Sequence, residues 1–185
     1  MLLLAAALAF TSACATAPPV PTKPSGPPAA KLFPLAIGNR WTYRVQFMGV
    51  KQLLSLSIVS GGQGEFVDNH GQHYFFDHAG LRDDKRYLLR DPTELGRKWS
   101  AVVSLTESES YEVMGVNETI DVPAGHFTEC VRVEGRSPGG QGVQVAEQVY
   151  CPQVGLVRVT TYEERDGQRG PAQWREELEA YRVQE

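Results

Sequence analysis

Trp41-Thr42-Tyr43-Arg44-Val45-Gln46-Phe47-Met48 sets large apolar side chains at Trp41, Tyr43, Val45 and Phe47 against polar ones at Thr42, Arg44 and Gln46. A period of two is the mark of a β-strand with one buried face. Leu54, Leu56 and Ile58 repeat it against Ser55 and Ser57. Further β-rich stretches follow at roughly 72–77, 98–106, 110–121, 127–135, 143–151 and 154–162, and Gly61-Gly62, His70-Gly71, Gly139-Gly140 and Asp166-Gly167 break the chain between many of them. Only Trp174 to Arg182 reads as helix or strand alike. As a strand it puts Trp174, Leu178 and Ala180 on one face and needs no change of architecture. The expectation is all-β: a single antiparallel curved sheet spanning 32–185. With no amphipathic helix to cover its apolar face, the sheet must roll into a half-barrel or barrel.

A spacing recurs within this region. Pro34-x3-Gly38-x2-Trp41 returns as Pro92-x3-Gly96-x2-Trp99, each copy followed by a β-like run. The physical reading is a turn ended by a glycine at positive φ, then a tryptophan that fills a core slot as the strand begins. The composition agrees with a turn-rich β protein: 18 glycines in 185 residues, with 42% apolar and 22% charged residues. The net charge of -4 supplies no basic field for nucleic acid.

The first 31 residues differ in kind. Met1–Phe10 reads MLLLAAALAF, too short to span a membrane but suited to a signal peptide's apolar region. Ser12 and Ala13 before Cys14 resemble the lipobox of bacterial lipoproteins. There the peptide is cut before the cysteine, whose thiol takes a diacylglycerol and whose new amino group takes an acyl chain such as palmitate. Thr11 stands where leucine is usual, and no basic residue precedes Cys14. The other reading is a cleaved secretory peptide with Cys14 as an ordinary cysteine. Residues 18–28 then hold six of the twelve prolines, an extended tether with nothing to bury. The division expected is signal peptide 1–13, lipidated Cys14 and tether 14–31, β domain 32–185. Ala15 rather than aspartate after Cys14 resembles the sorting signal for the outer membrane.

Phe33–Tyr43 (FPLAIGNRWTY) and Tyr87–Trp99 (YLLRDPTELGRKW) resemble a group of bacterial envelope lipoproteins with no established activity, as do Val122–Val133 (VPAGHFTECVRV) and Tyr150–Val159 (YCPQVGLVRV). The resemblance spans nearly the whole mature domain. It implies a curved antiparallel sheet, loosely similar to lipoprotein-carrier half-barrels, and little chemistry.

Candidate sites are few. Asp68-Asn69-His70-Gly71-Gln72-His73-Tyr74-Phe75-Phe76-Asp77-His78 gathers three histidines and two carboxylates, a set that could ligate a divalent ion. Asp68–Gly71 also reads as a hairpin turn, and His73 and His78 fall on opposite strand faces, so turn and solvent face are preferred and no metal is expected. Glu107, Glu109 and Glu112 read as a solvated strand edge rather than as paired catalytic carboxylates. Lys85, Arg86, Arg90, Arg97 and Lys98, interleaved with Asp83, Asp84 and Asp91, read as a solvated surface. No nucleophile elbow, P-loop, C-x-x-C or dinucleotide fingerprint occurs, so no catalytic residue and no cofactor are expected.

The remaining cysteines, Cys130 and Cys151, flank Arg136–Gly142 between two strand-like runs. A hairpin centred between residues 140 and 141 would set them opposite each other, and an exported domain would keep the bond. That register also opposes Glu134 to Glu147. It further asks Cys151, which alternates with Val149 and Val145, to share a face with Arg132 and Glu134. The function expected is a non-enzymatic envelope lipoprotein, held to the membrane by its lipid and facing the periplasm. Its β domain would bind an apolar ligand or another envelope component. The alternative is a structural subunit with a filled core, and a hydrolase is the weaker one.

Overall fold

A computed structural model describes residues 22–184; Met1–Phe10 and Cys14 lie outside the described residues. One short helix, α1 (Ala29–Leu32), precedes twelve strands: β1 (Arg40–Phe47), β2 (Val50–Gly62), β3 (Glu65–Asp68), β4 (His73–Asp77), β5 (Gly80–Arg82), β6 (Tyr87–Arg90), β7 (Lys98–Val102), β8 (Ser108–Val122), β9 (Gly125–Gly139), β10 (Gly142–Cys151), β11 (Gly155–Arg165) and β12 (Gln168–Arg182). They form one antiparallel sheet in the order β6-β5-β4-β3-β2-β1-β12-β11-β10-β9-β8-β7. Every consecutive pair of strands is laddered except β6 and β7, and β1 pairs in addition with β12. That pairing turns two meanders into one continuous sheet.

The sheet curls until its edge strands, β6 and β7, nearly meet, so the fold is an almost closed barrel. No backbone ladder joins that seam; side chains do. Trp99 donates its indole N–H to Tyr87 O at 2.8 Å. Arg86, in the turn before β6, reaches Glu109 of β8 at 2.5 Å. Glu109 and Arg86 therefore depart from the solvated readings. Glu109 is 13% exposed and receives both Arg86 and the Tyr111 hydroxyl. The two edge strands, which a fully laddered barrel would not have, are thus held against each other by side chains.

The inward face is aromatic and aliphatic. Trp41, Tyr43 and Val45 are at most 1% exposed, and Leu178, Val131, Val133 and Tyr150 join them in the core. The Trp174–Arg182 segment is strand, with one change of face. The β1–β12 register slips between Thr42 and Tyr43, so Leu178 stays opposite Tyr43 while Ala180 moves opposite Thr42 and is exposed. The β-bulge explains why Ala180 does not share the Leu178 face.

The two P-x3-G-x2-W units adopt the same turn. Gly38 and Gly96 have φ of 91° and 76°. Asn39 N–H donates to Ala36 O, and Arg97 N–H to Glu94 O, at 3.0 Å each. Both glycines donate to the neighbouring strand, Gly38 to Ile58 O and Gly96 to Val113 O. Both tryptophans are buried, at 0% and 7% exposure.

The boundary between tether and domain lies earlier than residue 32. Leu95 N–H donates to Pro24 O, Gly26 N–H to Thr93 O, and the Thr93 hydroxyl to Pro27 O. A Cβ on Gly26 would lie 2.5 Å from a Val131 methyl, so only glycine permits that approach. Ala29 N–H donates to Asp91, and Ala29 and Leu32 are fully buried. Residues 24–31 therefore belong to the folded unit. Their prolines read as tether because four helical residues are too few to show a period.

Candidate functional site

Phe33, at the end of α1, plugs the barrel at the end where β10 turns into β11. Its ring lies 5.3 Å from Trp41, 5.8 Å from Tyr74 and 6.3 Å from Tyr150. Gly155 (φ 112°) makes room for it, since a Cβ there would come within 2.8 Å of the Phe33 ring. The Trp41 indole N–H donates to Val154 O at 2.6 Å, tying the plug region to the same turn.

What remains inside is a cavity of about 190 Å³. Phe33, Tyr43, Tyr74 and Tyr150 supply its rings, Leu56, Leu88 and Leu156 its aliphatic wall, and Gln72, Asp83, Gln148 and Glu176 its polar groups. The tyrosine hydroxyls are spent on the protein: Tyr43 donates to Leu156 O at 3.0 Å, Tyr74 to Asp68 at 3.2 Å and Tyr150 to Gln148 at 2.9 Å. Burial raises all three hydroxyl pKa values; Glu176 adds to the rise at Tyr43 and Asp68 to that at Tyr74. The Glu176 carboxyl is also held above its usual range by burial, against a hydrogen bond from Trp174 that pulls the other way.

The structure joins Cys130 and Cys151 in a disulfide, with Cα atoms 4.2 Å apart. β9 and β10 pair in the register centred between residues 140 and 141, with Val149 opposite Arg132 and Val145 opposite Arg136. The face that carries the cysteines is thus a single outward one, on which valines and charged residues alternate across the two strands. Valine on this stretch does not mark the core side: Val145 and Val149 are buried on the outer face, at 0% and 2% exposure. Glu134 and Glu147 do stand opposite each other, and Arg169 bridges them, at 2.8 and 2.5 Å. Burial alone would raise the Glu134 pKa; hydrogen bonds from Arg136 and Arg169 overcome it and hold the carboxyl below its usual value.

The histidine-rich stretch is dispersed. Asp68, 3% exposed, accepts the backbone N–H groups of His70 and Gln72 and shapes the turn. His70 lies against Ser55 O, and His73 pairs with Glu65 at 2.8 Å. Among the described residues no three His, Cys, Asp or Glu side chains converge as metal ligands. Of the basic stretch, Lys98 pairs with Glu112, while Asp83, 8% exposed, accepts from Lys85 and Arg86 N–H. Asp83 and Asp91 are structural acceptors rather than solvated charges. Sequence reading passed over Glu176. The alternation of Trp174, Glu176 and Leu178 is the signal that could have placed its carboxylate inside.

The fold and cavity define a class: a nearly closed, twelve-stranded antiparallel barrel plugged at one end by its own N-terminal segment. No family model and no curated protein matches the chain. Two solved structures are similar to it. One is a candidate exported protein with a YmcC-like fold from Bacteroides fragilis NCTC 9343, at 15% identity and a TM-score of 0.46, covering 81% of this chain and 98% of that one. The other is a candidate lipoprotein from Parabacteroides distasonis ATCC 8503, at 15% identity and a TM-score of 0.41, covering 82% of this chain and 98% of that one.

Proposed function

We propose that this protein is a non-enzymatic envelope lipoprotein, anchored through Cys14 to the outer membrane and facing the periplasm, whose barrel engages another envelope component. The cavity carries the reading. At about 190 Å³ it falls below the roughly 300 Å³ at which ligand pockets begin, and α1 occupies the end where an acyl chain would enter. A filled barrel favours the structural role over lipid carriage.

Two further observations support it. A disulfide suits an oxidising compartment such as the periplasm. The β1–β2 hairpin tip leaves Phe47, Met48 and Val50 exposed at 46%, 84% and 63%, apolar surface of the kind that meets a partner. With residues 24–31 folded in, the link from Cys14 comprises residues 15–23, about 28 Å if fully extended.

Native mass spectrometry of protein extracted from its own membrane tests the proposal. The expected species carries acyl mass on Cys14 and no lipid within the barrel. An unmodified Cys14, or a stoichiometric non-covalent lipid, would overturn it. Cys14→Ala should move the protein to the soluble fraction.

A further inference from the structure

Glu176 is not explained by the packing of the barrel. It projects inward from β12, with Val45 of β1 on one side and Val159 of β11 on the other. Its one side-chain hydrogen bond is from the Trp174 indole, at 3.4 Å. The cavity's other carboxylate, Asp83, is already committed to two backbone N–H groups, with Arg86 Nε 3.4 Å away. Among the described residues, no lysine or arginine lines the cavity. The space thus combines an uncompensated carboxylate with four aromatic rings, whose faces carry negative potential and attract cations.

The hydrogen-bonding groups narrow the chemistry further. Beside the rings, Leu156 O already accepts from Tyr43, Gln148 Oε1 from Tyr150 and Asp68 from Tyr74, so the wall offers a cation ring faces more than open hydrogen-bond partners. A methylated ammonium needs no acceptor and matches a ring-lined wall. At about 190 Å³ the cavity is sized for a small ion rather than for an acyl chain.

We propose that the barrel interior binds a small quaternary ammonium ion, with Glu176 as counter-ion and Phe33, Tyr43, Tyr74 and Tyr150 as its aromatic cage. The site goes beyond the filled-barrel reading, which stands or falls on lipid exclusion and not on this ligand.

Calorimetric titration of the full chain with choline tests it, with NMR of the tyrosine rings as the locating signal. Saturable binding in the millimolar range or tighter is expected, with shifts at Tyr43 and Tyr150. The neutral isostere, in which carbon replaces the quaternary nitrogen, should bind at least about tenfold more weakly. Glu176→Gln should weaken choline by a similar factor. It should also melt no lower than the wild type, because it removes a carboxylate whose ionised form burial disfavours. No saturable binding of choline or tetramethylammonium, or equal binding of the neutral isostere, overturns the proposal. The isostere comparison uses the unaltered protein, so it decides the matter even if the variant folds poorly.

Discussion

The two P-x3-G-x2-W units share one turn and two different fates. Trp41 opens β1, which is paired on both sides, by β2 and by β12, and its indole is fully enclosed beside Phe33. Trp99 opens β7, an edge strand paired only with β8; it stacks on Tyr111 at 5.4 Å and spends its N–H across the seam on Tyr87 O. A local motif therefore specifies a turn and an inward tryptophan, while the neighbouring strands decide what that tryptophan does. The first anchors the plug at the barrel's end, and the second closes its side.

Truncating the tryptophans would separate those roles most strongly. Trp41→Ala should cost about 5 kcal/mol and Trp99→Ala about 3 kcal/mol, because the cavity left at Trp41 cannot collapse or fill with solvent. Equal costs in denaturant unfolding would break the distinction between end and side. Replacing Cys130 and Cys151 with serine or alanine should remove about 3 kcal/mol, the value for a closed loop of some 20 residues. It should leave both tryptophans buried, since the bond spans β9 and β10 and neither unit; a red-shifted tryptophan emission in the folded variant would contradict that independence.

At the seam, Glu109→Gln should cost about 2 kcal/mol, the scale of a hydrogen bond to a charged group. Its acrylamide quenching should rise for Trp99 and stay unchanged for Trp41, read in single-tryptophan backgrounds. The smallest effect sharpens the comparison rather than dividing it. Gly38→Ala and Gly96→Ala should each cost about 1 kcal/mol, because both glycines hold φ in the left-handed region. A cost at one position only would mean that the two turns are not the same device.

Much of this architecture was legible in the chain. Trp41–Phe47 declared its strand because its alternation is uninterrupted, and the register of β9 with β10 followed from the turn between them. β3, β5 and β6 were not legible, since strands of three or four residues carry no period to read. The faces of β9 and β10 misled for a different reason: this barrel buries Val145 and Val149 on its outer side among ion pairs, so apolar character and inward direction part company there. Glu109 and Arg86 looked like solvent-facing charges because only tertiary closure brings β8 to the turn before β6. The cavity carboxylate was hidden in Arg175-Glu176-Glu177-Leu178-Glu179, where three other charged residues mask the one that points inward.

The central claim is that both units together close and fill the barrel. Titration of the purified protein with a fluorescent fatty acid tests it most directly. A closed, plugged barrel with a cavity of about 190 Å³ predicts no saturable enhancement of fluorescence at micromolar probe. Stoichiometric micromolar binding, displaced by unlabelled fatty acid, would show an open carrier-like interior and contradict the account.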